Sequence, residues 1–469
     1  MSSYEDVVSS RYSYEEMKGV FSDQSIFRTW RLCWVALAEA EHELGLKQIT
    51  KEMIAEMKKH IDNIDFAAAK EKEKETQHDV MAHIYAYGLA CPKAKGIIHL
   101  GATSQCIKCN TDLILQHQAI KVIRQDLIIL LSALYHLIQR TKHIPTLSYT
   151  HYQPAQPTTI GRRFCTYAQD YLADLKELGS IFEDYALRGV KGATGTQASY
   201  LELLGDAKKV KKLDFLFAKK LGFKKVFPIT TQTYSRKFDI RIASLLASIC
   251  ATTKKFATDI RLLSNIGIIE EPFGNDQVGS SSMPYKRNPM KSEQLCALCR
   301  KVINNLNDFY DVYSEQWLER TLDDSAIRRI DIPQNFMLAD YVLRKTAGIC
   351  QGLAVFEKHS EKLLMQELPF LITESILVEA VKKGASRQEM HEIIKKHAFE
   401  VAKEIKEQGK ENSLIQRLEA DHRIPLGTDD FNRIMASKSL IGLSVEQADD
   451  FCKKELEPAI KAGKAKLSK

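Results

Sequence analysis

Between residues 110 and 143 the chain carries neither glycine nor proline. Leu113, Leu115, Ile120, Ile123, Leu127, Leu130, Leu131, Leu134 and Ile138 recur there at helical spacing and make a wide apolar stripe. A helix of roughly 30 residues is about 45 Å long at the α-helical rise. Such a rod cannot cover its own stripe, so it needs partner helices along its whole length, and a bundle follows. Four further stretches read as long helices, near 160–188, 236–268, 291–318 and 334–364. With 12 prolines and 22 glycines in 469 residues, breakers are few. The expected fold class is all-α.

The length suggests about three domains. Past Glu367-Leu368-Pro369-Phe370 the helices shorten, with Gly384, Gly409, Pro425 and Gly442 as punctuation. The expected division is an N-terminal helical domain over 1–103, a central long-helix domain over 104–364 and a C-terminal helical domain over 365–469. Net charge is +7, with no basic block large enough for a nucleic-acid arm. The chain begins without a charged-then-apolar signal pattern, and no run of 18 apolar residues predicts a membrane span. The 10 cysteines are scattered. Cys106/Cys109 and Cys296/Cys299 have a metal-like spacing, but a zinc site would need both pairs to meet. Apolar cysteines at i, i+3 in helices are usually core. No metal is expected, and a reducing, cytoplasmic location is the simplest.

The chemistry sits in polar loops between the long helices. Gly279-Ser280-Ser281-Ser282-Met283-Pro284-Tyr285-Lys286-Arg287-Asn288-Pro289 cannot be helix interior, because its prolines lack donors and restrict the residues before them. A Gly/Ser loop can meet negative charge with backbone N–H groups, and Lys plus Asn suit a carboxylate. His78-Asp79 precedes a helix, either as a cap or as a functional pair. Thr103-Ser104 opens the longest helix, where hydroxyls cap the backbone or touch an anion. Thr150-His151-Tyr152-Gln153-Pro154 reads as a loop with a positioned or a solvated histidine. The glycine-rich stretch 189–199 lacks the ending of a P-loop. Arg320 to Arg329 holds three arginines with Ser325, either a phosphate grip or an ion-pair knot with Asp323 and Asp324.

The eleven residues 279–289 resemble the signature loop of the fumarase/aspartase superfamily, and their Pro-Tyr-Lys-Arg-Asn-Pro version is similar to that of the adenylosuccinate lyase family. The resemblance extends along nearly the whole chain. It includes Arg11-Tyr12, His78-Asp79, His-Leu-Gly-Ala-Thr-Ser at 99–104, Thr-His-x-Gln-Pro-Ala-Gln at 150–156, Gln-Thr-Tyr-Ser-Arg-Lys at 232–237 and Arg-Thr-Leu-Asp-Asp-Ser at 320–325. It implies three helical domains in a homotetramer whose central domains form one multi-subunit helical core, with each site built from three subunits. It implies cleavage of adenylosuccinate to AMP and fumarate, and of the succinyl-aminoimidazole-carboxamide ribotide to its carboxamide ribotide and fumarate, in purine nucleotide biosynthesis. The partner is a small nucleotide, with no nucleic acid, membrane, metal or organic cofactor.

The same resemblance makes His151 the general acid toward the leaving nitrogen and Ser280 the base. Lys286 and Asn288 meet the charge that develops on the succinyl carboxylate, Glu293 supports His151, and His78 assists on the phosphate or base side. Arg11, Tyr12, Arg320, Ser325 and Arg329 hold the nucleotide, chiefly its phosphate. Thr103, Ser104 and Gln232 hold the succinyl portion and its surroundings, and Gln77, Asp79 and Gln294 complete the set against substrate. Gln77 and Gln294 stand where the family pattern has Arg, which leaves the balance between the two succinyl substrates open. Lys108 and Cys109 replace the more usual small and acidic residues before Asn110. A sister lyase such as argininosuccinate lyase shares the elimination, but the Tyr285-Lys286-Arg287 loop and the arginine knot speak against it. A silent helical scaffold is the reading from another class, and the presence of His151, Ser280, Lys286 and Glu293 speaks against that.

Overall fold

A computed structural model describes residues 5–274, 277–436 and 438–467. The longest helices are Ser104–Thr141, Ile160–Asp184, Lys237–Asn265, Met290–Ser314 and Asp324–Gly352. The all-α expectation holds. Among the described residues the named strands form only two antiparallel pairs, Pro145–Thr150 with Gln153–Thr159 and Ile269–Glu270 with Ala354–Val355.

The chain divides into two compact units, one of Met1–Leu127, Ala173–Lys254 and Leu295–Lys345, the other of Ile128–Leu172, Lys255–Gln294 and Thr346–Lys469. Each of the five long helices carries residues of both. In the first unit, the helix Asp23–Glu43 buries Trp30, Trp34 and Leu37, and Leu113, Ile123 and Leu127 lie buried on the helix that opens at Ser104. In the second, Leu368, Ile372, Ile376, Met390, Leu414 and Phe431 form a compact core among the shorter helices. Ser104–Thr141 is long and apolar enough to cross a membrane by length and composition, yet 61% of its most apolar window is buried inside the protein, as in a core helix.

Three segments differ from the local reading. The last long helix begins at Asp324 and runs through Pro333 to Gly352, instead of spanning 334–364. A separate helix, Glu357–Leu371, passes through Pro369 where a break was expected. Burial of Leu368 and Ile372 on either side of that proline keeps the segment helical against its local cost. The segment 150–159 is the turn and second strand of a hairpin, in which Thr150 pairs with Gln153. All 10 cysteines are buried and unpaired by disulfides. Cys106 Sγ accepts from Arg188, and Cys109 Sγ lies 3.4 Å from the Gln105 side chain. Among the described residues no cluster of three His, Cys, Asp or Glu side chains is arranged to hold a metal.

Candidate active site

In the first unit, Gln77 closes the helix Phe66–Thr76 in a left-handed conformation, at φ 51°. Its side-chain amide donates to the Lys74 carbonyl at 2.9 Å. His78 is then the N-cap of the helix Asp79–Ala90, where its Nδ1 accepts the Met81 N–H at 3.4 Å. A neutral ring that accepts at Nδ1 carries its proton on Nε2, which points to Ser104 Oγ at 3.3 Å. His78 thus caps the helix Asp79–Ala90. The cap fixes the ring, and its other nitrogen faces the hydroxyl that opens the next helix. The Thr103 carbonyl accepts from Cys106 N–H at 2.8 Å and starts that helix.

Asp79 sits in the first turn of its helix, at the positive end. Its Oδ2 receives two cations, Lys108 Nζ at 2.6 Å and Arg329 Nη2 at 2.7 Å. Burial opposes ionisation of Asp79, but these two partners outweigh it and hold its carboxyl below the ordinary range. Lys108, Asp79 and Arg329 line a cavity of about 400 Å³, together with Arg320, Ser325, Arg236 and Arg328. Phe27, Trp30 and Ile332 give it an apolar wall.

The arginines of the cavity differ in partners and in exposure. Arg236 Nε donates to Asp324 Oδ2 at 2.9 Å, and Arg320 donates to Oδ1 of the same carboxylate at 2.6 Å. Arg328 donates to Asp239 at 3.0 Å, Asp112 at 2.9 Å and the Tyr234 hydroxyl at 2.6 Å. Arg236 and Arg328 are buried, whereas the Arg329 side chain is 63% exposed and bonds Asp79. Ser325 lies in the first turn of the 29-residue helix that begins at Asp324. This arrangement can accept an oxyanion at Arg329 and Arg320, with the buried pairs fixing the floor. Arg11 and Tyr12 do not line the cavity. Tyr12 meets Tyr341 edge-on at 5.7 Å, and Arg11 is exposed beside it. Gln232 is held next to the knot, its backbone N–H donating to the Glu319 carbonyl at 3.2 Å and its amide to Ala193 at 3.0 Å.

In the second unit, His151 and Tyr152 form the two-residue turn of the hairpin, with φ of 53° and 58°. Two positive φ values are what a two-residue hairpin turn demands, and a histidine there is strained relative to Asn or Gly. The turn holds the imidazole at an exposed tip. The loop 279–289 is closed on itself. Asn288 Nδ2 donates to the Gly279 carbonyl at 2.8 Å, and a Cβ on Gly279 would lie 2.1 Å from the Lys286 carbonyl oxygen. Only glycine fits. Ser280 Oγ accepts the Met283 N–H at 3.1 Å, and the Lys286 side chain is exposed. Glu271 anchors the base of the loop, receiving the N–H groups of Lys291 at 2.8 Å and Ser292 at 3.0 Å in the first turn of the next helix. Glu293 is exposed in that same turn, followed by Gln294. Among the described residues no hydrogen bond or ion pair joins His151 to Glu293.

The structure thus brings His78, Asp79, Ser104 and Arg329 together, and Arg320 with Ser325. It also adds residues that local reading did not select: Lys108, Arg236, Arg328 and Glu271. Arg236 lies inside the Gln232–Lys237 motif and Arg328 inside the arginine knot, but their carboxylate partners come from distant segments.

A largely helical fold thus carries a cavity lined with cations. The family described as Lyase matches residues 11–304, and the family described as Adenylosuccinate lyase C-terminus matches residues 369–451. The fold is shared with the 3-carboxy-cis,cis-muconate lactonizing enzyme of Pseudomonas putida, at a TM-score of 0.82 and 20% identity over 99% of both chains. It is also shared with the fumarate lyase of Mesorhizobium sp. BNC1, at a TM-score of 0.82 over 95% of this chain and 99% of that one, with 20% identity. In sequence the chain is 44% identical to the adenylosuccinate lyase of Saccharomyces cerevisiae over 97% of this chain and 95% of that protein. It is 43% identical to that of Schizosaccharomyces pombe over 99% and 97%. The chain belongs to the adenylosuccinate lyase family.

Proposed function

We propose that this enzyme cleaves adenylosuccinate to AMP and fumarate, and the succinyl-aminoimidazole-carboxamide ribotide to its carboxamide ribotide and fumarate, as a step of purine nucleotide biosynthesis. The observation that carries the reading is identity above 40% to adenylosuccinate lyases along nearly the whole chain. The cavity at Arg320, Ser325 and Arg329 supports a phosphate-bearing substrate.

In the proposed reaction Ser280 takes the proton from the carbon beta to the leaving nitrogen. The C–H electrons form the new double bond, the C–N bond breaks, and His151 supplies a proton to the departing nitrogen. The C–H is weakly acidic, so the charge spreads into the neighbouring carboxylate, which Lys286 and Asn288 meet. Arg320, Ser325 and Arg329 hold the nucleotide in that cavity, with His78 beside them, and Arg11 and Tyr12, which do not line it, hold the nucleotide from outside it. Thr103, Ser104 and Gln232 hold the succinyl side, with Gln77, Asp79 and Gln294 completing the surroundings. Closure of the loop on substrate gives Ser280 a dry, cation-rich setting when the proton is taken. Glu293 supports His151 between copies of the chain. This accords with a cytoplasmic homotetramer of three-domain subunits, divided at 103/104 and 364/365, whose sites draw on three subunits. No metal, organic cofactor, nucleic acid or membrane takes part.

The test is fumarate release from purified protein given adenylosuccinate, with argininosuccinate in parallel. Release from adenylosuccinate alone is expected. Release from argininosuccinate alone would keep the elimination and overturn the nucleotide pocket, and release from neither by a folded tetramer would overturn the enzyme reading.

A further inference from the structure

Lys108 has no role in the scheme above, yet it occupies a pivotal place. It lies on the helix that Ser104 opens, one turn along, and its ammonium stands 6.0 Å above the ring of buried Trp30. It reaches the same oxygen of Asp79 that Arg329 reaches, at 2.6 Å against 2.7 Å. The two cations differ in freedom. The Lys108 side chain is 18% exposed, whereas that of Arg329 is 63% exposed. Both face the cavity, where Arg236 and Arg320 share Asp324 and Arg328 is held by Asp112 and Asp239.

A carboxylate with one cation holds it strongly. A carboxylate shared by two can release one and remain paired. We propose that Lys108 is a positioning residue that keeps Asp79 neutralised when Arg329 leaves it for the phosphate of the nucleotide. Asp79 and the incoming phosphate compete for the same guanidinium, and Lys108 tilts that competition toward the phosphate. Its contribution is to nucleotide affinity, exerted through Asp79 and not by contact with the nucleotide. The proposal rests on the nucleotide reading of this cavity.

The experiment measures AMP binding by calorimetry and steady-state cleavage of adenylosuccinate, on the full-length protein and on K108M, K108R, D79N and D79N/K108M. K108M is expected to weaken AMP binding and raise KM roughly tenfold, in the usual range for coupled charge pairs, while kcat stays near the parent value. K108R is expected to restore both. In the D79N background the K108M change is expected to have no effect on AMP affinity, since there is no longer a carboxylate competing for Arg329. An unchanged AMP affinity in K108M overturns the proposal, as does a tenfold loss that persists in D79N, which would mean direct contact. A parent protein that cleaves adenylosuccinate while K108M matches it removes only the role of Lys108. A parent that neither binds AMP nor releases fumarate overturns the nucleotide reading, and this proposal with it.

Discussion

Ser280 Oγ accepts the backbone N–H of Met283 at 3.1 Å, so the serine proposed as base is turned into its own loop. The hydroxyl oxygen keeps a second lone pair, so this bond orients the group and leaves it able to take a proton. Ser280→Ala is therefore expected to lower kcat by about 10²–10⁴-fold while substrate still binds near the parent affinity. Single-turnover and equilibrium-binding measurements separate the two effects. Turnover close to the parent would remove Ser280 from the mechanism.

His151 stands at the tip of a hairpin turn with positive φ. His151→Ala is expected to lose turnover to a similar degree, about 10²–10⁴-fold, because the leaving nitrogen departs without a proton. The loss should shrink on a succinyl substrate with a better leaving group. An equal loss on both substrates would indicate a structural role for the turn.

Arg329 is exposed and, among the described residues, bonds a shared carboxylate oxygen. Arg329→Met is expected to raise KM roughly 10- to 100-fold, the weight of a charge-assisted contact to phosphate, with a smaller change in kcat. A variant with parental KM would place the phosphate elsewhere.

Asp324 joins buried Arg236 to Arg320. Burial opposes its ionisation, but Arg236, Arg328 and Arg320 hold its carboxyl below the usual range. Asp324→Asn leaves Arg236 buried without a counter-charge and is expected to cost about 3–5 kcal/mol. Denaturant unfolding at fixed protein concentration reads this directly, and a midpoint equal to the parent's would show that Arg236 finds another partner.

Glu41 is fully buried on the helix Asp23–Glu43, with neither carboxyl oxygen hydrogen-bonded among the described residues. Burial pushes its carboxyl up to about 8. The folded protein then keeps a proton that the unfolded chain releases above about pH 4.3, so this group's contribution to stability falls as pH rises from there to about 8. The slope is at most about 1.4 kcal/mol per pH unit. Glu41→Gln is expected to flatten that part of the stability profile, measured by unfolding between pH 5 and 9. A parallel pair of profiles would place the titration in another group.

Much of this protein is written locally. The apolar stripe of 110–143, without a breaker, determined a long helix that needs a bundle. The Gly/Ser/Pro composition of 279–289 determined a loop, and its residue types stated the available chemistry, because turn formation and side-chain chemistry depend on immediate neighbours. Pairing across the fold is a different matter. Asp79 meets Lys108 from the next helix and Arg329 from 250 residues away. No local spacing could say which carboxylate each cation of the arginine knot would meet. The same holds for His151, whose loop became a hairpin turn through strand pairing, and for Pro369, kept in a helix by the burial of Leu368 and Ile372. Sequence determined the elements and their chemistry. Tertiary structure decided the partners, since a buried charge takes its counter-charge from whichever segment packing brings beside it.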